Sequence, residues 1–156
     1  MSKCDPNAVL QRGPDNYQNT TAYPDTVASY SGGGGTADNV LENALCNATV
    51  YVGAAVRMSG STVVNAQANA IANARVIGIV IAKPTATTCD IQMCGVTTAV
   101  LAGLSIGSYY FLSDATAGLI TTVVPTAASS VVINIGQPRS STRFFVQLTT
   151  PIIRAA

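Results

Sequence analysis

A chain of 156 residues with 10% charged residues, no His and a net charge of +1 is long enough for one packed domain. Its eight basic residues are too few and too scattered for a nucleic-acid footprint, and no apolar run reaches the ~18 residues of a membrane-spanning helix. Thr, Val and Ile supply 46 of the 156 residues, a β-rich composition, and so few charges suit a surface packed on its own copies or a larger assembly.

Residues 1–35 read as an extended N-terminal arm. They carry Pro6, Pro14 and Pro24, only four large aliphatic residues, and end in the flexible link "SGGGG". Such a stretch buries too little apolar surface to offset its ordering entropy, yet Tyr17, Tyr23 and Tyr30 give it three amphipathic anchors for a partner. The start is polar and lacks the apolar core of a signal peptide, which predicts synthesis and assembly in a cytoplasm. Residues 1–45 hold two basic and five acidic residues, a balance of −3, whereas residues 46–156 hold six basic and two acidic, +4. An acidic arm docking on a basic neighbour accounts for that asymmetry, and so does chance in a charge-poor chain.

A connecting segment, 36–48, follows. In "DNVLENALCN" Asn39 and Glu42 are spaced as a capping box, and Val40, Leu41, Ala44 and Leu45 share a face, which predicts a short helical turn. From residue 49 to 156 the pattern is β. "TVYVGAAVRM" (49–58) alternates, placing Val50, Val52, Ala54 and Val56 on one side, and "SGS" turns it into "TVVNA". "NAQANAIANA" (65–74) is a loop, because Asn at 65, 69 and 73 opposes a helix. "ARVIGIVIAK" (74–83) is the most strand-like run, with Gly78 a bulge or close-packing point. Further strands are expected in 87–95, 96–104, 107–113, 119–126, 130–138 and 143–150, with "DATAG" (114–118) a turn. The expected fold is all-β, a compact small barrel or sandwich of about seven to nine short strands carrying the arm.

Gly103-Leu104-Ser105-Ile106-Gly107 fits the G-x-S-x-G pattern of a hydrolase nucleophile. Catalysis would need a base, and with no His the remaining candidate is Lys83, which sits in the polar, Pro-containing "AKPTATT". The strand-like "SYYFLS" also follows where a helix is required, so Ser105 reads as a residue of a glycine-bounded turn and no catalytic residue is assigned. Cys4, Cys46, Cys89 and Cys94 lack the paired spacing of a zinc site, so neither metal nor cofactor is expected. An extended "CDIQMC" would hold Cys89 and Cys94 about 16 Å apart, too far for a disulfide, and reduced, packed thiols are the expectation.

The strings "YVGAAVRMSG", "ARVIGIVIAK", "CGVTTAVLAGLSIGSYYFLSDATAGLITTVVPT" and "VVINIGQPRSSTRFFVQL", within 51–148, carry a resemblance. Their order and glycine–strand–turn cadence resemble a β module of tailed-bacteriophage virion proteins, found in head decoration (cement or head-fibre) proteins and in tail fibres. The resemblance implies a non-catalytic, usually homotrimeric structural module. Its partners would be the major capsid protein and copies of itself, with no nucleic acid and no membrane, and its location the capsid surface. A tail-fibre or receptor-binding role is the alternative, although the chain contains no long shaft. The arm matches nothing in the module, and such segments often attach it to the virion.

Overall fold

The computed structural model describes residues 39–155; Tyr17, Tyr23 and Tyr30, with the rest of the expected 1–35 arm, lie outside them. The described residues are all-β, with no α-helix. In chain order the first six strands are β1 (Val40–Leu45), β2 (Ala55–Ser59), β3 (Thr62–Asn65), β4 (Gly78–Thr85), β5 (Thr88–Gln92) and β6 (Gly95–Val96). The second six are β7 (Tyr110–Leu112), β8 (Ile120–Thr121), β9 (Val131–Val132), β10 (Asn134–Pro138), β11 (Phe144–Val146) and β12 (Ile152–Ile153).

One antiparallel sheet has the order β1-β5-β4-β2-β3, a second β6-β11-β10-β7-β8, and β12 pairs with β9 apart from both. The edges of the first sheet approach each other. Cys46, just past β1, bridges to Val63 of β3, and the Asn47 N–H donates to the Val63 carbonyl at 2.9 Å. The sheet therefore curls, and one side of it holds Cys46, Val50, Ala54, Val56, Val63, Val80, Cys89 and Ile91 as a closed apolar cluster. Ala55 and Ile79, one residue along from Ala54 and Val80, enter a different core with Tyr110, Leu112, Ile133, Ile135, Phe144 and Val146. Strands β2 and β4 are thus buried on both sides, the reason "ARVIGIVIAK" reads as a near-continuous apolar run rather than an alternation. A sandwich of curled sheets fits this layering.

Gly78 is a close-packing point, as expected. A Cβ there would meet the Gln92 carbonyl oxygen and Cγ2 of Ile91. Gly136 matters more, because it combines φ +145° with a shift in the β10–β7 register between Asn134 and Gly136. A Cβ at Gly136 would fall on the Phe145 carbonyl oxygen and 3.0 Å from the Phe144 ring.

Several local expectations are corrected. The helical turn at 38–47 is instead β1, paired with β5 from Val40↔Gln92 to Leu45↔Thr88. A six-residue helix gains little by itself, while the ladder also satisfies its backbone. The ladder shifts between Leu41 and Ala44, where Asn43 takes φ +52° and its N–H donates to Asp90 Oδ1 at 2.8 Å. Asn is among the few residues that adopt this conformation readily. In 49–58 the strand starts only at Ala55, and 47–54 is a chain of turns that leaves Val52 exposed instead of inward. Lys83 lies on β4 rather than in a turn; the chain reverses later, at Ala86 and Thr87. Of 96–104 only Val96 is in a strand, because Thr97 leaves the ladder and bonds Phe144 through both its N–H and its hydroxyl. Strand β12 was not expected, and the twelve short strands exceed the expected seven to nine.

Gly136→Ala should cost about 3 kcal/mol or more, because backbone must move to admit the methyl group. Urea unfolding of the variant checks this, and a loss below ~1 kcal/mol would show that β10 and β11 separate freely at that point.

Candidate functional site

Ser105 occupies the turn that its glycines predict. Its carbonyl accepts from the Ser108 N–H at 3.2 Å, with Ile106 and Gly107 between them and Gly107 at φ +86°. Positive φ at the third position of a four-residue turn fits type II geometry. The Ser105 N–H donates to the Tyr110 hydroxyl at 3.0 Å, and the Tyr110 ring packs edge-on to Phe144 with centroids 5.6 Å apart. The turn is thereby tied to the core through its backbone, and β7 rather than a helix follows it. Lys83 is engaged elsewhere: its ammonium donates to the carbonyls of Ala48 at 2.8 Å and Val50 at 2.6 Å. Among the described residues no lysine is brought to Ser105.

The cysteines divide. Cys46 and Cys89 are buried free thiols in one cluster, as expected of packed apolar residues. Burial, reinforced by the hydrogen bond and charge of Cys46 and by the charge of Asp90, pushes the Cys89 thiol up to about 12, with Lys83 pulling weakly the other way. Cys94 departs from the reduced expectation and is disulfide-bonded. It lies at the bend after β5, outside any strand, and since Cys89 is free the bond is not between these two. Pairing is set by where the fold brings sulfurs together, which spacing along the chain does not reveal. Among the described residues no cluster of three or more His, Cys, Asp or Glu is placed to hold a metal ion.

The described surface carries contact features. A shallow groove of about 230 Å³ runs between Tyr51–Gly53, Leu101–Leu104 and Gly118–Ile120, with Tyr110 at its base. Tyr51, Val52 and Leu119 are exposed along it. The Gly53 N–H donates to Val80 and the Ala54 N–H to Tyr51, so the segment is pinned to β4 with Val50 and Ala54 inward and Tyr51 and Val52 outward. Burial raises the Tyr51 hydroxyl above its ordinary range, in keeping with a hydroxyl that sits close against Gly118. The sequence reading missed this groove, taking Tyr51 and Val52 as positions of a regular strand. The Tyr-Val-Gly triplet was the available signal, since a glycine there permits the turn at φ +89°.

Other large apolar groups face outward as well. Ile106 is 70% exposed at the tip of the Ser105 turn, Tyr109 57%, Val123 68% and Ile152 66%. The Arg154 guanidinium donates to the Pro125 carbonyl at 3.2 Å, tying the residue after β12, whose Ile152 and Ile153 are exposed, to the one after Val124. No family model matches the chain, and no curated protein or solved structure matches it either.

Ser105→Ala should leave thermal stability within about 0.5 kcal/mol of the parent, because its side chain is exposed and its backbone makes the contacts. A fluorophosphonate probe should leave Ser105 unlabelled; labelling in the native protein would establish an activated serine. Cys89 generates a pH prediction. The folded state holds its proton more tightly than the unfolded chain, whose thiol keeps the ordinary value of 9.0. The stability it contributes is complete below about pH 9 and is lost as pH rises toward about 12. Melting temperatures across that window should fall more steeply for the parent than for Cys89→Ala.

Proposed function

We propose that this chain is a structural protein of a tailed-bacteriophage virion. In this reading it is a capsid decoration or cement protein whose β domain seats on the head surface and stabilises it. The observation that carries the reading is the allocation of apolar residues in a charge-poor, all-β domain. Ile106, Tyr109, Val123, Ile152 and Ile153 face outward, and a groove lined by Tyr51, Val52 and Leu119 is held open by backbone bonds. Exposed apolar surface of this kind suits burial against other subunits. The resemblance of the strings within 51–148 to a module of both phage heads and tail fibres agrees with it, and the anchor-bearing arm favours the head.

On this reading the partners are the major capsid protein and two further copies of the chain. Residues 1–35 lie across neighbouring capsid subunits with Tyr17, Tyr23 and Tyr30 as anchors. Each buried Tyr would contribute on the order of 1–2 kcal/mol after ordering costs, and three linked arms would add avidity.

Light scattering of the purified protein at micromolar concentration should return about three times the 15.9 kDa chain mass; a persistent monomer would contradict the trimer. Deleting residues 1–35 should leave the thermal melt of the β domain intact while releasing the protein from heads in co-sedimentation. The triple Tyr→Ala variant should weaken binding in the same direction. Truncated protein that still saturates heads would place attachment in the β domain, and protein that sediments with tails but not heads would favour the tail-fibre alternative.

A further inference from the structure

The turn joining β10 to β11 concentrates charge in a chain that has little of it. Its residues are Arg139-Ser140-Ser141-Thr142-Arg143, and both arginines are exposed. The Arg139 N–H donates to the Arg143 carbonyl at 2.9 Å. The Ser140 hydroxyl oxygen accepts from the N–H groups of Thr142 at 3.3 Å and Arg143 at 3.0 Å. The two cationic residues are therefore held at one tip by the turn's own bonds, although in sequence the basic residues look scattered.

Three further observations give the tip a direction. The Arg139 guanidinium lies 4.9 Å from the centroid of the Phe145 ring, which fixes it over an aromatic surface. Phe145 alternates with the buried Phe144 and Val146, so it belongs to the outer side of its sheet, where the register sets the exposed Val96 opposite it. Among the described residues neither guanidinium forms an ion pair. From residue 95 onward the one acid is Asp114, and it lines a separate hollow with Asn69 and Ser130.

Two like charges kept together with no carboxylate among the described residues to offset them repel each other, and the planar fork of each presents donors matched to a carboxylate. The neighbouring Phe145 and Val96 lower the local dielectric, so a carboxylate arriving there would be held more strongly than by a fully hydrated arginine. Tracking a nucleic-acid backbone takes a longer row of cations than two. An apolar pair beside a charged rim is the pattern of a protein contact. We propose that the Arg139–Arg143 tip, with Phe145 and Val96, is a docking surface for a carboxylate-bearing patch on a protein partner. The proposal rests on the virion reading above, in which that partner is the head surface.

The test is co-sedimentation of the full chain with heads lacking this protein, across a salt series, comparing the parent with the Arg139→Glu/Arg143→Glu and Arg139→Lys/Arg143→Lys variants. The parent's affinity should fall as salt rises, and charge reversal should weaken binding at least about tenfold at low salt, with an unchanged thermal melt. The lysine variant should lie between the two, because it keeps the charge but loses the fork. If the parent sediments and charge reversal binds equally well, the tip is not the contact, while the virion reading stands. If the parent does not sediment with heads at any salt, the head-decoration reading fails and takes this proposal with it. Retention of the parent on heparin or a single-stranded oligonucleotide as tightly as on heads, abolished by charge reversal, would mark a general polyanion site and overturn the assignment to protein carboxylates.

Discussion

Strand β4 is the constraint on which the rest of the domain depends. Ile79 and Val80 are consecutive, fully buried, and belong to different cores, so this strand has apolar partners on both sides. A strand so placed must be central, and its hydrogen bonds with β2 and β5 leave no edge for solvent. The same strand fixes the irregular segment before β2. Val80 exchanges bonds with Gly53 and Ala54, and Lys83, further along β4, caps the carbonyls of Ala48 and Val50. The orientation of Tyr51 and Val52 toward solvent is therefore a consequence of burying β4 rather than an independent feature of a loop.

Small residues hold several of the most buried positions. Ala54, Ala55, Ala66, Ala68 and Ala74 are all fully buried, which lets sheets and loops approach closely. The larger aliphatic residues Ile106, Val123, Ile152 and Ile153 remain outside. Each forgoes about 1.5–3 kcal/mol that full burial would contribute to the isolated domain. Single exposed apolar residues are ordinary on any protein surface. Two consecutive exposed isoleucines, Ile152 and Ile153, are less so, and contact with other chains would recover what the isolated domain gives up.

The sequence made the fold class legible because its signals were local ones. Val/Ile/Thr runs mark strands, "SGS" at 59–61 marks the β2–β3 turn, and the two glycines around Ser105 mark the Ser105–Ser108 turn. What escaped was decided by distant partners. Val40–Leu45 carries a plausible helix pattern, but Asp90, 47 residues after Asn43, accepts the N–H at its bulge. Thr97 looks like a strand position, yet Phe144 takes both its polar groups. The groove and the Arg139–Arg143 tip were hidden for the same reason. Tyr51 and Leu119 line one groove only once the 114–118 turn brings Gly118 beside the Tyr51 hydroxyl, and two arginines four positions apart form a cluster only if the chain reverses between them.

The abundance of Ser and Thr has a second role beyond β propensity. Ser113 Oγ accepts from the N–H groups of Ala115 and Thr116, and Ser140 Oγ does the same for Thr142 and Arg143. Thr85 and Thr88 close the β4–β5 turn, with the Thr85 hydroxyl also accepting from the Thr87 N–H. In each case a hydroxyl satisfies turn N–H groups that would otherwise bond water. Turns locked in this way lose little conformational freedom when a partner covers them, and ordering costs are a large part of what weakens an interface. A surface poor in charge has few long-range attractions to draw a partner in, so a small entropy loss on contact becomes the larger share of its affinity. In the proposed virion role, a modest gain at each turn would be multiplied by linkage among the copies rather than by new contacts.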